Sequence, residues 1–461
     1  MSNLENVMVE LSKYIVITLM TIYTFFGFFV FQKKERKGQE KIYWIQRILI
    51  FSIHFIFSFL LYMDTKSMKV IGFYSYQVVF LVLTIILYQF VYRNLSKLVL
   101  NHMLMLLSIS FIMLTRLNFD LAKKQFYIAT ASMVICLFIP FVIEKFKMLS
   151  RLGIAYGITG IGILILVLVF GKTIYGATNW LELFGIMIQP SEFVKILFVF
   201  FAASMLSKCS RFRQIVFITI LAALHVLILV LEKDLGAALI FFVTYIFMLY
   251  IATSNAVYLF SGLISGVIAA VTAYQLFDHV KIRVQAWSDP WSDIASGGYQ
   301  IAQSLFAIGT GGWFGMGLGK GLPNSIPVVE SDFIFSAVSE EMGGIFALCI
   351  ILIYMSCFLT FLIISMKMKN MFYKLTALGF SVLYIFQVFL SIGGVTKLIP
   401  STGVTLPMMS YGGSSIASMM LIFSILQGLY ILNQNEDEKV GKRKKIITSG
   451  QRTRDSKAQG N

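Results

Sequence analysis

Long apolar runs, separated by short polar segments, recur along almost the whole chain. Thirteen of them have roughly the length of a membrane-spanning helix, because a bilayer core about 30 Å thick needs about 20 residues. The runs are residues 14–31, 48–63, 73–92, 98–115, 126–143, 153–170, 187–206, 214–231, 235–252, 256–277, 343–365, 374–396 and 413–432. Backbone groups in lipid must be satisfied within their own segment, so the runs predict helices. The pattern therefore predicts an all-α polytopic integral membrane protein.

The composition excludes the other broad classes of protein. Of the 461 residues, 58% are hydrophobic and 13% are charged, and the mean hydropathy is +0.82. Soluble domains carry about 25% charged residues, and disordered chains are poor in apolar ones. The four cysteines and four histidines are scattered, without the spacing of a disulfide framework or a metal site. We therefore expect a membrane protein without a cysteine or histidine metal centre.

The basic residues predict how the helices are oriented. An odd number of spans places the termini on opposite sides, and cytoplasmic loops carry an excess of Lys and Arg. With the C-terminus inside, 25 of the 38 basic residues fall in the cytoplasm, 12 fall outside and Lys195 lies within a span. The sequence thus predicts an outer N-terminus and a cytoplasmic C-terminus. The net charge of +16 is then an orientation signal and not a nucleic-acid footprint.

The longest segment between two runs, about 278–342, is predicted to lie outside, where loops of this length are usually functional. Residues 299–308 have helical spacing and are predicted to re-enter the membrane edge. The glycine-rich residues 309–321 are not a phosphate-binding Walker A motif, because no Ser or Thr follows Lys320. They are interpreted either as turns that let backbone pack closely or as a cradle for an external phosphate or sugar.

Acidic residues concentrate on the same predicted face. Asp332 stands just before the eleventh run, where it is either a helix cap or a general base whose pKa is raised by partial burial. Glu192 and Lys195, at i and i+3 in the seventh run, share one helix face. They form either a self-neutralising structural pair or part of an outward cavity in which Lys195 meets an anionic ligand.

Two further polar motifs lie on that face. Residues 232–236 (Glu-Lys-Asp-Leu-Gly) join the eighth and ninth runs, and residues 397–415, rich in Pro, Gly and Ser, join the last two. Irregular backbone at membrane depth is tolerated only where it is buried in protein or lines a cavity. Separate parts of the chain are therefore predicted to converge on one site near the outer leaflet.

These motifs resemble the SEDS family, the polytopic peptidoglycan glycosyltransferases that include RodA, FtsW and SpoVE. The resemblance covers about residues 98–433. The matching positions are Gln189-Pro190-Ser191-Glu192, Lys195, Asp234-Leu235-Gly236, Arg283-Val284, Asp289-Pro290, Gly298-Tyr299-Gln300, Gln303-Ser304, Ala307-Ile308-Gly309, Asp332-Phe333-Ile334-Phe335, Glu340-Glu341, Pro400, Gly403-Val404, Leu406-Pro407 and Ser410-Tyr411-Gly412-Gly413-Ser414-Ser415. Two positions depart from the family pattern: Lys233 replaces a common proline, and Glu330-Ser331 replaces His-Thr.

The resemblance implies a domain organisation. A ten-helix glycosyltransferase core would occupy residues 98–433, with the large extracellular loop at about 278–342 between spans ten and eleven. About three extra transmembrane helices, residues 1–97, would precede the core. Residues 434–461 would form a basic cytoplasmic tail.

The resemblance also implies an activity in the bacterial cytoplasmic membrane. The family polymerises lipid II, a disaccharide-pentapeptide on undecaprenyl pyrophosphate, by inverting transfer to a GlcNAc 4-hydroxyl. Asp332 would be the catalytic residue. The substrate-binding residues would be Glu192, Lys195, Arg283, Asp234, Ser410 and Gly412. No cofactor is certain; a divalent cation, Mg²⁺ or Mn²⁺, is left open at the pyrophosphate. The expected partner is a class B penicillin-binding protein.

Two other functions stay open at this point. A lipid II flippase should have polar groups spread through both leaflets and often shows internal repeats, whereas the inner half of these spans is nearly free of charge and no repeat is seen. A non-catalytic scaffold for the transpeptidase would not need Asp332. Whether the protein serves elongation, division or sporulation, and what the first three helices contact, is not encoded in a recognisable motif.

Overall fold

The computed structural model describes residues 3–174, 176–183, 185–292 and 297–458. Most of these residues are helical. The helices are α1 (Asn3–Phe29), α2 (Arg36–Thr65), α3 (Met68–Val91), α4 (Lys97–Leu117), α5 (Phe119–Lys145), α6 (Gly153–Phe170), α7 (Ser191–Leu206), α8 (Phe212–Leu231), α9 (Leu235–Thr253), α10 (Ala256–Leu276), α11 (Asp278–Ser288), α12 (Gly297–Gly311), α13 (Ile334–Lys367), α14 (Met371–Val395) and α15 (Gly413–Ala458).

Each of the thirteen apolar runs lies in a helix of its own, which confirms the helical prediction. Within the described residues, twelve of these helices are long and apolar enough to cross a membrane. The exception is α7, which has only 16 residues. The seventh run was predicted to be helical from residue 187, whereas the helix begins at Ser191, because the preceding residues form a strand.

A small sheet is the part of the fold that the all-α prediction missed. Strands β1 (Lys172–Ile174), β2 (Ala177–Leu183) and β3 (Ile186–Ile188) pair antiparallel in the order β1-β2-β3. The sheet lies between α6 and α7, at the end of the bundle that carries Asp332. The backbone N–H of Thr178 donates to the carbonyl of Glu232 at 2.8 Å, so the sheet is attached to the turn between α8 and α9.

The long segment before α13 is structured and not a plain loop. It contains α11 and α12, and α13 begins at Ile334, nine residues before the predicted start. The predicted start instead coincides with a break in α13 at Gly343, where φ is 87° and ψ is 166°.

The glycine-rich residues 309–321 lie in this break. The N–H of Gly344 donates to the carbonyl of Gly312 at 2.8 Å, and the N–H of Met316 donates to the carbonyl of Glu340 at 2.9 Å. A Cβ on Gly343 would lie 2.4 Å from the nitrogen of Gly315, so only glycine allows this approach. The interpretation that the glycines let backbone pack closely is therefore confirmed.

Helix α4 lies at the centre of the bundle. In its most apolar stretch 94% of residues are buried, and its neighbours are α2, α3, α5, α13 and α15. Helix α10 is at the other extreme, because none of its residues is buried. Helices α1 to α3 therefore cover one side of α4 and α13, while α10 lies at the edge of the bundle.

Candidate active site

Asp332 lies in the turn that leads into α13, and the last loop holds that turn in place. Its N–H donates to the carbonyl of Val328 at 3.2 Å. The N–H of Tyr411 donates to the carbonyl of Glu330 at 2.8 Å, and the hydroxyl of Ser410 donates to the carbonyl of Ser331. The turn before Asp332 is thus fixed by a segment almost eighty residues away in the chain.

Arg283 of α11 comes close to Asp332 across Gly403. A Cβ on Gly403 would lie 3.6 Å from Oδ2 of Asp332 and 3.9 Å from Nη2 of Arg283. Gly403 has a φ of 70°, and Nη1 of Arg283 donates to the neighbouring carbonyl of Ser401 at 3.3 Å. The structure therefore brings together the predicted catalytic acid and one predicted substrate-binding cation.

The surroundings of Asp332 change its proton affinity. Burial raises the pKa of Asp332 above its usual value, while a hydrogen bond from Ser331 and the positive charge of Arg283 lower it in part. Burial is the largest of these effects, so the carboxylate is a stronger base than one in water. A carboxylate of this kind is suited to accept a proton from an attacking hydroxyl.

Glu192 and Lys195 form a buried ion pair with a distance of 2.5 Å. Lys195 is only 3% exposed, and its ammonium also donates to Oε1 of Gln387 at 3.1 Å. Glu192 accepts a hydrogen bond of 2.6 Å from the hydroxyl of Ser418. The pair is therefore held by its own neighbours from α14 and α15.

The same network reaches the loop between α14 and α15. The amide of Gln387 donates to the carbonyl of Thr405 at 3.0 Å, and the hydroxyls of Thr405 and Ser415 are 2.7 Å apart. Because Thr405 lies two residues after Gly403, the ion pair supports the loop that passes between Arg283 and Asp332.

Asp234 caps α9 and attaches the sheet to it. Its Oδ1 accepts from the N–H of Ala237 at 3.0 Å, and its Oδ2 accepts from the amides of Asn179 at 2.8 Å and Gln189 at 3.2 Å. A Cβ on Gly236 would lie 3.1 Å from the carbonyl of Thr402. The cap thus packs against the loop that carries Gly403.

Ser410 and Gly412 form hydrogen bonds that hold this loop in place. The hydroxyl of Ser410 accepts from the N–H of Leu406 at 2.9 Å. Gln125 of α5 donates to the carbonyl of Ser410 at 2.9 Å and accepts from the N–H of Gly412 at 3.2 Å. Both residues therefore lie in the loop that contacts the turn before Asp332, and Gln125 fastens this loop to α5.

Some polar residues of this region were missed from the sequence. Burial and the charges of Arg283 and Lys233 lower the pKa of His279, while the charge of Asp278 raises it in part. The only available signal was that His279 and Arg283 are four residues apart on α11. Gln387 and Ser418 gave no signal, because an isolated polar residue in an apolar run has no spacing to interpret.

In the described part of the chain, no three His, Cys, Asp or Glu side chains form a group that could hold a metal ion. A cation at this site would therefore need other oxygen donors in addition to carboxylates.

Known proteins resemble this chain over the region that contains the site. A family model described as a cell cycle protein, FtsW/RodA/SpoVE, matches residues 88–435. The peptidoglycan glycosyltransferase RodA of Mycobacterium bovis is 37% identical over 303 residues, which are 62% of this chain and 65% of that protein. A probable peptidoglycan glycosyltransferase FtsW of Aeromonas salmonicida is 34% identical over 274 residues, covering 57% and 69% of the two chains. The match thus spans about two thirds of the length of these relatives.

Solved structures share the fold. A chain from a peptidoglycan synthase complex superposes with a TM-score of 0.62 at 22% identity, covering 73% of this chain and 97% of its own length. The rod shape determining protein RodA of Thermus thermophilus superposes with a TM-score of 0.54 at 22% identity, covering 73% and 96%. The family match extends over most of the chain and contains Asp332, Arg283 and the loop between them. The protein is a multi-pass membrane protein that belongs to the FtsW/RodA/SpoVE family.

Proposed function

We propose that this protein is a peptidoglycan glycosyltransferase that polymerises lipid II into glycan strands on the outer face of the bacterial cytoplasmic membrane. The observation that carries the proposal is the position of Asp332, a partly buried carboxylate that faces Arg283 across Gly403. The names of the relatives support the same activity. A base next to a cation is what transfer of a sugar from a pyrophosphate requires.

In the proposed reaction, Asp332 accepts the proton of a GlcNAc 4-hydroxyl as its oxygen attacks the anomeric carbon of the second substrate. A new glycosidic C–O bond forms with inversion, and the C–O bond to the pyrophosphate breaks. Undecaprenyl pyrophosphate leaves with the bonding electrons. Arg283 offsets the negative charge that develops on this leaving group, and a divalent cation would add to that effect.

The contacts of the ion pair between Glu192 and Lys195 support a positioning role for Lys195 in place of a direct contact with the substrate. The sequence predicted that Lys195 contacts the anionic substrate, but its ammonium is bonded to Glu192 and Gln387. We propose that the pair acts mainly through Thr405, by holding the loop next to Asp332. Asp234, Ser410 and Gly412 then bind substrate or shape its site from the same loop system.

The proposal also covers the orientation of the chain in the membrane, its division into domains and its partner protein. The N-terminus would be outside and the C-terminus in the cytoplasm, which places Asp332 at the outer leaflet where lipid II is consumed. Residues 98–433 would be the catalytic core. A related solved structure concerns polymerisation and crosslinking by a synthase complex, which supports a penicillin-binding protein as partner.

The test is lipid II polymerisation by purified protein, with and without a class B penicillin-binding protein. We expect Asp332→Asn to lower the rate by about 10²–10⁴-fold, the usual contribution of general base catalysis. Asp278→Asn is the matched control, because this exposed carboxylate lies on the same helix as Arg283 and pairs with Lys281. Equal glycan product from wild type and Asp332→Asn would reject the catalytic assignment. Loss of outward lipid II movement with polymerisation unchanged would favour the flippase.

A further inference from the structure

The start of α1 contacts the glycine-rich residues 309–321, although this helix precedes the region matched by the family model. The ammonium of Lys320 donates to Oδ1 of Asn6 at 2.7 Å. The rings of Tyr14 and Phe314 have centroids 5.4 Å apart. One helix of the N-terminal block therefore touches the glycine-rich residues at two separate points.

Gly317 lies between α1 and α13. Its N–H donates to the carbonyl of Glu341 at 2.9 Å, which fixes it to α13. A Cβ on Gly317 would lie 2.6 Å from Cγ1 of Val9, which is itself buried, and the φ of Gly317 is 97°. The cavity beside this contact, lined by Lys13, Leu318 and Glu341, has a volume of about 10 Å³, room for at most one water molecule. The backbone at Gly317 is therefore closely packed between the two helices.

Helix α2 contacts the same segment near its own end. A Cβ on Gly319 would lie 3.2 Å from Oδ2 of Asp64. Glycine loses more backbone freedom on folding than any other residue, so a segment this rich in glycine needs outside contacts to stay in one conformation. Helices α1 and α2 supply part of that restraint.

The glycine-rich residues lead directly into the turn that carries Asp332. The carbonyl of Gly321 accepts from Nη2 of Arg116 at 3.3 Å. Ile326 and Val329 are buried, so the chain stays packed between this contact and the turn. A displacement of the glycine-rich residues would therefore move the turn before Asp332.

We propose that the start of α1 is a positioning element for the candidate active site. Val9 and Tyr14 hold residues 314–320 in place, and this segment in turn sets the position of the turn before Asp332. The inference rests on the proposed function, because it assigns α1 a role in that reaction. A general base must lie within hydrogen-bond reach of the hydroxyl that it deprotonates, so a small shift of its carboxylate matters.

Packing without any effect on catalysis is the alternative. Attachment of α1 to the bundle does not depend on its first turns, because the hydrogen bond between Tyr23 and His102 holds this helix further along. The contacts of Asn6 and Tyr14 go instead to an irregular segment that precedes Asp332. We favour positioning for this reason.

The test compares the full-length wild type in detergent with the double variant Val9→Ala/Tyr14→Ala. Hydrogen exchange followed by mass spectrometry should show the amides of residues 314–322 exchanging at least about fivefold faster in the variant, because two side chains that hold this segment are truncated. The matched control is Leu11→Ala/Ile15→Ala, since both of these side chains lie on α1 and are more than half exposed. It should exchange like the wild type.

Lipid II polymerisation and its pH dependence separate positioning from packing. The kcat of the double variant should fall by about tenfold or more with a smaller change in KM, because a misplacement of about 1 Å can cost about 100-fold. Burial raises the pKa of Asp332, so a looser and wetter turn should lower it and move the acid limb of the kcat profile to lower pH. Loss of stability alone would reduce the amount of active protein without moving this limb. Tyr14→Phe, which keeps the ring, should retain most of the wild-type kcat.

Equal exchange of residues 314–322 in the double variant and its control would overturn the proposal. Faster exchange with an unchanged kcat and acid limb would also overturn it, and would leave α1 as packing alone. If the double variant does not fold, Tyr14→Ala decides by the same measurements, because this side chain is 48% exposed. A wild type that makes no glycan would refute the proposed function, while faster exchange in the variant would still establish that α1 holds the segment.

Discussion

At the scale of single residues, Asp332 combines partial burial with a nearby cation. Burial raises the pKa of Asp332 and makes the carboxylate a stronger base, while the hydrogen bond from Ser331 and the charge of Arg283 lower that pKa in part. The balance matters because a general base acts only when it is ionised, yet gains strength as its pKa rises. The sequence identified Asp332 and Arg283 separately, and their proximity across Gly403 came from the fold.

This balance predicts a pH effect. The rate should fall as the pH drops through the pKa of Asp332, because the protonated acid cannot accept the hydroxyl proton. Arg283→Gln removes a charge that lowers this pKa, so the acid limb of the kcat profile should move to higher pH. Lys281→Gln, an exposed change on the same helix, should leave the limb where it is. An identical acid limb in Arg283→Gln and wild type would contradict the assignment of this limb to Asp332.

The Glu192–Lys195 pair yields a second residue-scale prediction. Lys195→Met should lower the free energy of unfolding by up to about 3–5 kcal/mol, because it leaves the largely buried Glu192 without its positive partner. The double variant Glu192→Gln/Lys195→Met removes both charges and should recover part of that loss. Thermal unfolding in detergent measures the free energies, and the same variants are assayed for polymerisation.

The comparison separates two roles for Lys195. If the pair positions the loop, activity should recover along with stability in the double variant. If Lys195 binds the substrate directly, stability should recover while activity stays low. The second result would restore the direct contact that the sequence predicted.

At the scale of helices and strands, the break in α13 is where the glycine-rich residues join this helix. The helix begins beside Asp332, carries Glu340 and Glu341, and is interrupted at Gly343, where residues 309–321 pack into the gap. Glu341 pairs with Arg116 of α4 at 3.1 Å, and the N–H of Leu322 donates to Glu340 at 2.9 Å. Glu340 and Glu341, two charged residues within an apolar helix, thus help to hold the glycine-rich residues against α13.

Gly343→Ala should therefore destabilise the protein strongly. Its Cβ would lie 2.4 Å from the nitrogen of Gly315, and its φ of 87° disfavours any side chain. We expect a loss of more than about 2 kcal/mol in the free energy of unfolding, as for other substitutions that combine strain with overpacking. Thermal unfolding in detergent provides the measurement.

Gly162→Ala is the matched control for this substitution. It lies within α6 with nothing within 4 Å of the added Cβ, so it should be neutral or stabilising. Equal melting temperatures for Gly343→Ala and Gly162→Ala would refute the close approach at Gly343.

At the scale of the whole molecule, α1 to α3 are an integral side of the bundle. The hydroxyl of Tyr23 is hydrogen-bonded to Nδ1 of His102 at 2.9 Å, and Nε2 of His102 is bonded to the hydroxyl of Ser356 at 2.9 Å. Nε of Arg47 donates to the side chain of Asn101 at 3.2 Å. Polar contacts of this kind fix which helices associate in a membrane. The family match begins at residue 88, so most of these three helices lie outside it.

Tyr23→Phe tests this attachment. It removes the bond to His102 without changing the packing volume, and we expect it to cost about 0.5–2 kcal/mol of unfolding free energy. Tyr76→Phe, on the exposed side of α3, should have no effect. No difference between the two variants in thermal unfolding would show that the buried hydrogen bonds do not anchor the first helices.

The sequence by itself determined the apolar helices and named the residues of the candidate site. Both depend on local information, because the length and hydropathy of a run decide whether it can span lipid, and motif spacing does not require distant contacts. Only the structure revealed the small sheet, the break at Gly343, the hydrogen bond from Lys195 to Gln387 and the approach of Arg283 to Asp332. The strands of the sheet are neighbours in the chain, but each of the other three features joins residues far apart in it. Such contacts depend on how the helices pack and leave no periodic trace in the sequence.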